Sequence, residues 1–285
     1  MVLVYFFWGS TYAGIAVAGE SAPPFTSMGV RFVIASAVLA LILKIRGRSL
    51  RVTRQELGSA AFVGVALLAG GTGGVALGEQ SVPSGVTSLI ICATPMWMML
   101  FRTLTGDRPK WLGLFGAGVG FAGMFVLVSA APHEQLDGGD LSFGLGVLVL
   151  LGASFSWSSG SFISKRLTLP KDPFVLTMYE MVFGAVGCLL IGQLVGEGFD
   201  LSVITPRSWL AILYLVAFGS LVAYSAYVWL LGHAPISLIA TYAYVNPVVA
   251  VAIGVLFFNE QLTAGMWLGA GIVLAGVALS VSAER

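Results

Sequence analysis

Long, nearly uncharged apolar runs dominate the sequence and constrain the fold more than any other feature. A helix needs roughly 20 apolar residues to cross the hydrocarbon core of a bilayer. The chain contains ten runs of about this length, and the short segments between them hold most of the proline and charged residues. The predicted spans are 2–19, 24–44, 58–78, 84–102, 111–130, 143–164, 173–195, 208–231, 236–257 and 264–282.

The composition is that of a protein whose solvent is lipid. Of the 285 residues, 58% are hydrophobic and only 9% are charged, whereas a soluble domain carries about 25% charged residues. Within a bilayer every backbone N–H and C=O group must be bonded inside the protein, so the spans must be helices or a closed barrel. Barrel strands would alternate apolar and polar residues, and these runs are continuously apolar. We therefore expect an all-α integral membrane protein with ten transmembrane helices.

The basic residues fall on one side of the predicted membrane. Apart from Arg31, inside a span, and Arg207, every Lys and Arg lies in alternate loops or at the C-terminus. The positive-inside rule places that side, with both chain termini, in the cytoplasm of a bacterial-type inner (plasma) membrane. The predicted cytoplasmic residues are Lys44, Arg46, Arg48, Arg51, Arg54, Arg102, Arg108, Lys110, Lys165, Arg166, Lys171 and Arg285. The opposite loops hold the acidic residues Glu20, Glu79, Glu134, Asp137, Asp140, Glu197, Asp200 and Glu260.

The two halves of the chain resemble each other. The matching pairs are Trp8 and Trp157, Arg31 and Glu180, each 149 positions apart, and Pro95 and Pro247, 152 positions apart. Spans 1–5 (residues 1–131) therefore match spans 6–10 (residues 143–285). Because five is odd, the second copy enters the membrane in the opposite orientation. Secondary transporters use such inverted repeats around a central cavity; a duplication retained only for packing is the alternative.

Several segments carry a family resemblance. They are Trp8-Gly9-Ser10-Thr11-Tyr12, Gly29-Val30-Arg31-Phe32, and Tyr242-Ala243-Tyr244-Val245-Asn246-Pro247. They resemble the EamA family of the drug/metabolite transporter superfamily, and the similarity covers essentially the whole chain. The resemblance implies a ten-helix fold whose central cavity is lined by spans 1, 3, 4, 6, 8 and 9. It also implies export of amino acids, often aromatic or other neutral ones, and of amphipathic metabolites.

The predicted function is secondary transport of small organic metabolites, with amino acids as the leading substrates, by alternating access. A broad-specificity exporter of amphipathic drugs or other metabolites, or an uncoupled facilitator, is the alternative. We expect no enzymatic activity, because no catalytic groups converge at one membrane depth. A channel should show a continuous polar face or a ring of like charges, and the spans show neither.

Two ionisable residues lie deep inside predicted spans, where charge is costly and is a functional candidate by default. Arg31 and Glu180 enter from opposite faces, which leaves about 10 Å between them in a core of about 30 Å. We therefore expect local partners: Glu79 or carbonyl groups for Arg31, and Lys165, Arg166 or a helix end for Glu180. Structural anchoring and substrate or proton coupling both remain open for these residues.

The remaining site candidates are aromatic and small polar residues in the spans. Aromatic side chains with one polar atom can stack on a solute and also form a hydrogen bond, although helix–helix bonding is the alternative. The predicted substrate-binding residues are Trp8, Ser10, Tyr12, Trp97, Trp157, Tyr224, Tyr227, Tyr242 and Asn246. Pro95 and Pro247 each remove a helical hydrogen bond, so they are candidate gating hinges or static kinks. Glycine spacings at 116/120 and 265/269 predict close helix packing.

No cofactor or metal site is expected. His133 and His233 lie on opposite sides of the predicted membrane, and the glycine-rich segment 70–74 has no following lysine, unlike a phosphate-binding loop. The formal net charge of +1 gives no general attraction for nucleic acid. The expected partners are a small-molecule substrate, the lipid bilayer and, if Glu180 is coupled, protons.

Overall fold

The computed structural model describes residues 1–106, 110–130, 142–198, 200–233, 242–258 and 262–282. Every regular element of these ranges is helical. Eight helices are long and apolar enough to cross a membrane, and two further helices contain shorter apolar segments. The eight are α1 (Val2–Gly19), α2 (Pro24–Ile45), α3 (Arg54–Gly78), α4 (Ser84–Leu104), α5 (Trp111–Ser129), α6 (Phe143–Ser164), α7 (Pro173–Leu194) and α8 (Pro206–Leu231). The other two are α9 (Tyr242–Phe258) and α10 (Ala264–Ser282), whose shorter apolar segments are Val245–Phe257 and Ala264–Ser280.

Some sequence predictions fall outside the described residues. They are the first part of the predicted ninth span, 236–241, and the charged or histidine residues Arg108, His133, Glu134, Asp137, Asp140, Glu260 and Arg285. The predicted bounds of the other spans agree with the helices to within a few residues, except at the first turn of α3.

The start of α3 is set by a local polar motif that the hydropathy pattern does not detect. Thr53 Oγ1 accepts a hydrogen bond from the backbone N–H of Glu56 at 3.2 Å, and the Glu56 carboxylate accepts one from the backbone N–H of Thr53 at 2.7 Å. Such a capping box satisfies two of the four N–H groups that a helix start leaves without a partner. The helix therefore begins at Arg54, ahead of the predicted residue 58.

One end of the bundle, here called the basic end, brings the α2–α3 and α6–α7 connections together. The Arg48 guanidinium lies 3.5 Å from the carboxylate of Asp172. The hydroxyl of Tyr179 donates a hydrogen bond of 2.8 Å to the backbone carbonyl of Leu50. Both connections are rich in lysine and arginine, so these basic segments share one face of the molecule.

The other end, here called the acidic end, brings the α1–α2 and α7–α8 connections together. The Glu197 carboxylate accepts hydrogen bonds from the backbone N–H groups of Phe25 at 3.0 Å and Thr26 at 2.7 Å, where the α2 dipole favours negative charge. Arg207 lies 3.1 Å from Glu20. Since α2 begins and α7 ends at the acidic end, these two packed helices run in opposite directions.

The molecule exposes large apolar side chains on its outside and buries small polar ones within its apolar core. Large apolar side chains are exposed along the bundle, while many serine and threonine side chains are buried within it. Exposed examples are Trp111, Phe125, Leu148, Leu194, Leu256 and Phe257. Soluble monomers do not expose apolar surface on this scale. The chain is therefore a multi-pass membrane protein.

Two helices contain π-helical segments at matching places in the two halves. The segment in α3 spans Val65–Gly73 and the one in α8 spans Leu215–Tyr224. A third irregularity divides α4 at Cys92, three residues before Pro95. The proline ring conflicts with the carbonyl four residues earlier, that of Ile91, and this explains the break. Pro247 instead lies within α9.

Close glycine packing joins α5 to α10, as the glycine spacings predict. A methyl group on Gly276 would overlap the backbone of Gly120, and one on Gly116 would lie 2.6 Å from the backbone nitrogen of Ser280. The Ser280 hydroxyl donates a hydrogen bond of 3.2 Å to the carbonyl of Gly113. Small residues therefore allow backbone-to-backbone contact between the two helices.

Candidate functional site

A cavity of about 90 Å³ gathers six of the predicted site residues; it is called the Arg31 cavity below. These residues come from α1, α2, α6 and α9, and side chains of α3 and α4 complete the wall. The six are Trp8, Tyr12, Arg31, Trp157, Tyr242 and Asn246. Residues far apart in sequence, from both halves of the chain, thus share one partly apolar site, as expected for small-molecule binding.

Arg31 is held in this cavity by α8. The side chain is only 4% exposed, and its Nε donates a hydrogen bond of 2.9 Å to the hydroxyl of Ser220. Nη1 lies 3.5 Å from the sulfur of Met28, and the guanidinium carbon lies 5.0 Å from the ring centroid of Phe32. Among the described residues Arg31 donates its hydrogen bond to Ser220, whereas the sequence suggested Glu79 or carbonyl groups as its partner.

Four contacting rings form a layer at the base of the Arg31 cavity, here called the ring layer. It consists of Trp8, Trp157, Tyr227 and Tyr242. The Trp8 and Trp157 centroids are 5.6 Å apart in an edge-to-face arrangement, and Trp8 lies 4.8 Å from Tyr227 and 5.3 Å from Tyr242. These separations lie in the favourable range for aromatic pairs. The two tryptophans that match between the halves of the sequence therefore meet in space.

A second, larger cleft of about 370 Å³ lies on the basic side of the ring layer; it is called the Glu180 cleft. It contains Glu180 and Tyr227 together with Lys165, Lys171 and His233. Glu180 is 3% exposed, and its Oε2 accepts a hydrogen bond of 2.7 Å from the hydroxyl of Tyr224. Lys165 lines the same cleft. We had expected Lys165, Arg166 or a helix end as the partner of Glu180, whereas the group that bonds it is the Tyr224 hydroxyl.

Ser10 and Trp97 lie outside both cavities. The Ser10 hydroxyl bonds to the hydroxyl of Tyr214 and to a carbonyl of its own helix. The Trp97 indole N–H donates to the Ser154 hydroxyl at 3.0 Å, and its ring packs edge-to-face on Phe155. For these two residues the structure favours helix–helix bonding, which the sequence left open beside substrate binding.

Glu79 and the two prolines lie near the Arg31 cavity without lining it. Glu79 immediately follows α3, partly buried at the acidic end. Pro95 follows Thr94 and Pro247 follows Asn246, and each of those preceding residues lines the cavity. A change in helix geometry at either proline would therefore move a wall residue.

Sequence reasoning missed Ser220, the residue that fixes Arg31. Its neighbour Gly219 is also important, because a methyl group there would lie 2.7 Å from Nη2 of Arg31. A glycine–serine pair in an apolar span was the available signal. That signal is weak, since such pairs also serve general helix packing.

The comparisons with known proteins agree with this description. The model of the EamA-like transporter family matches residues 1–129 and 144–282. The uncharacterized inner membrane transporter YedA of Escherichia coli (strain K12) is 36% identical over 97% of this chain and 87% of its own. A probable amino-acid metabolite efflux pump of Escherichia coli (strain K12) is 24% identical over 100% of this chain and 94% of its own. One crystal structure shares the fold at a TM-score of 0.70 and 20% identity, covering 99% of this chain and 96% of that one.

Proposed function

Because this chain belongs to the EamA-like transporter family, we propose that it is a secondary transporter that exports small organic metabolites, principally neutral and aromatic amino acids, by alternating access. The observation that carries this proposal is the pair of cavities separated by one layer of aromatic rings. A solute bound at this layer needs only a local rearrangement of the rings and helices to change the side to which it is open.

The proposed architecture is ten transmembrane helices arranged as two inverted repeats, residues 1–131 and 143–285. The opposite directions of α2 and α7, the paired π-helical segments and the two matches of the family model support it. In inverted repeats the solute site lies near the midplane between the halves. The ring layer, to which both halves contribute a tryptophan, has this position in the proposed arrangement.

The proposed orientation places the basic end and both termini in the cytoplasm of a bacterial-type inner membrane. The basic character of the two connections joined by Arg48 and Asp172 supports it, because cytoplasmic loops carry an excess of lysine and arginine. With this orientation the Glu180 cleft opens toward the cytoplasm and the Arg31 cavity lies on the external side.

Aromatic and hydrogen-bonding groups near the ring layer support amino acids as substrates. Trp8, Trp157 and Tyr242 provide apolar faces, and Asn246 provides an amide. The relative described as a probable amino-acid metabolite efflux pump supports the same substrate class. Glu180 is our candidate for proton coupling, because it is a buried carboxylate facing the cytoplasmic cleft of this orientation.

Counterflow in proteoliposomes tests the proposal. Vesicles loaded with one amino acid from a panel should accumulate the labelled form transiently, and the initial rate should saturate. Tyr242→Ala should weaken apparent affinity because the change removes a ring from the site, while Phe125→Ala, at a lipid-facing ring 75% exposed, should leave kinetics unchanged. A flux that never saturates would indicate a channel, and an absence of counterflow for the entire panel would overturn the assignment.

A further inference from the structure

Arg31 is a buried cation, and most of its N–H donors have no hydrogen-bond partner among the described residues. An arginine side chain carries five N–H donors. The described neighbours provide a hydrogen bond to one neutral hydroxyl, that of Ser220, and a weak contact to the sulfur of Met28. No described carboxylate forms an ion pair with it. Burying a charge is costly unless it is paired, so the guanidinium is suited to an anionic partner within the cavity that it lines.

Residues of α8 fix the position of the Arg31 guanidinium. The Nε–Ser220 bond fixes the plane of the group, and Gly219 provides the space beside Nη2 that a methyl side chain would fill. Arginine binds carboxylates through paired N–H groups when its orientation is fixed in this way. A fixed, desolvated guanidinium therefore favours a carboxylate group on the ligand.

Asn246 provides a hydrogen-bond acceptor in the same cavity, where Arg31 provides donors. The residue is 4% exposed, and its Oδ1 is buried with no hydrogen-bond partner among the described residues. A buried acceptor without a donor destabilises a structure by more than an average hydrogen bond stabilises it. A ligand that donates N–H groups would satisfy it.

The aromatic side chains of the cavity favour a ligand that carries an ammonium group as well as a carboxylate. Trp8, Trp157 and Tyr242 line the cavity with Arg31 and Asn246. The faces of such rings attract an ammonium group. A ligand with a carboxylate alone would leave the Asn246 oxygen unsatisfied, and a ligand with an amine alone would place two cations in one small cavity.

We propose that Arg31 and Asn246 are the specificity-determining pair of the Arg31 cavity: Arg31 binds a carboxylate, and Asn246 Oδ1 accepts a hydrogen bond from an adjacent ammonium group. The ligand class is therefore a zwitterion with both groups free, and simple amines, cationic drugs and simple carboxylic acids are poor ligands. This inference rests on the proposed function for its physiological meaning, but the site can be tested by binding alone.

Binding to the purified protein is measured as thermal stabilisation with two sets of ligands. One set is L-phenylalanine, phenethylamine and 3-phenylpropionate, and the other is L-alanine, ethylamine and propionate. In each set the amino acid should bind roughly 10- to 100-fold more tightly than the amine or the acid, as expected for loss of one charged hydrogen bond. Equal affinities within both sets, or no stabilisation by either set, would overturn the proposal.

Variants assign each group to its residue. In Arg31→Gln the amino acid should no longer bind more tightly than the amine, while Arg31→Lys should retain part of this difference in affinity. Asn246→Asp keeps an acceptor and should retain the advantage of the amino acid over the acid, whereas Asn246→Leu should lose it. Arg207→Gln, at the exposed acidic end, should change neither ratio. Unaltered ratios in folded Arg31→Lys and Asn246→Leu would show that the pair has only a structural role.

The two proposals fail in distinguishable ways. Selective binding of amino acids without counterflow would remove the transport assignment and retain the zwitterion site. Saturable counterflow combined with equal competition by amines and acids would retain the transporter and remove the assigned roles of Arg31 and Asn246.

Discussion

At the scale of single residues, helix α8 provides the hydrogen-bond partners of the two buried ionisable residues Arg31 and Glu180. Ser220 binds Arg31, and Tyr224, four positions later on α8, binds Glu180. Residues four apart lie on the same helix face, so a rotation or shift of α8 would act on both bonds together. The positive and negative residues that match between the halves of the sequence are thereby linked to one element.

We expect Glu180→Gln to abolish the pH dependence of transport across the neutral range. The glutamine keeps the size of the side chain and an acceptor for Tyr224 but cannot take up a proton. Tyr224→Phe leaves the carboxylate in place and should keep the pH dependence, and it serves as the matched control. Initial rates of counterflow at a series of pH values test this, and identical wild-type and Glu180→Gln profiles would remove Glu180 from proton coupling.

The sequence identified these ionisable residues but could not identify their partners. Hydropathy and the repeat place Arg31 and Glu180 inside spans, because a charge within an apolar run is conspicuous. Their partners Ser220 and Tyr224 are distant in sequence and ordinary in composition. Partner choice depends on the rotation of α2, α7 and α8 about their axes, which continuous apolar runs do not specify, since no polar face marks the interior.

At the scale of helices, α5 and α10 form a pair with little direct part in the cavities. They pack mainly on each other through glycine. The sequence predicted close packing at these glycines, because glycine spacing reports close approach directly, but it did not predict which helices meet. It did not predict the π-helical segments of α3 and α8, since a change from α to π hydrogen bonding leaves no clear compositional signal.

We expect Gly276→Ala to destabilise the protein by about 1–3 kcal/mol, the usual cost of overpacking a close contact. The added methyl group would overlap the backbone of Gly120 and force α5 and α10 apart. Gly271→Ala on the same helix is the control, because a methyl group there meets nothing within 4 Å. Thermal unfolding in detergent measures both variants, and equal stabilities would contradict the packing argument.

At the scale of the whole molecule, we expect the ring layer to be the barrier between the two cavities. Trp157→Ala should open a path from the Arg31 cavity to the Glu180 cleft. With Cys92 and Cys188 replaced by alanine, Ser161→Cys provides a reporter in the Glu180 cleft. A membrane-impermeant thiol reagent added at the acidic end should label this cysteine several-fold faster in Trp157→Ala.

The same reporter with Trp157 intact is the control, and it should be labelled mainly from the basic end. Equal labelling from the acidic end with and without Trp157 would show that the barrier lies elsewhere. Trp111→Ala, at an exposed ring that lines neither cavity, leaves the four rings of the layer intact and should behave like the control.

The thinness of the ring layer has an electrical consequence. If both cavities admit water and ions, the membrane potential falls mostly across the few ångströms occupied by the rings rather than across the whole bilayer. A unit charge that passes this layer then experiences nearly the full potential in one step, about 2.3 kcal/mol for each 100 mV. A zwitterionic cargo would cross with no net electrical work, and only an accompanying proton would make the rate respond to voltage.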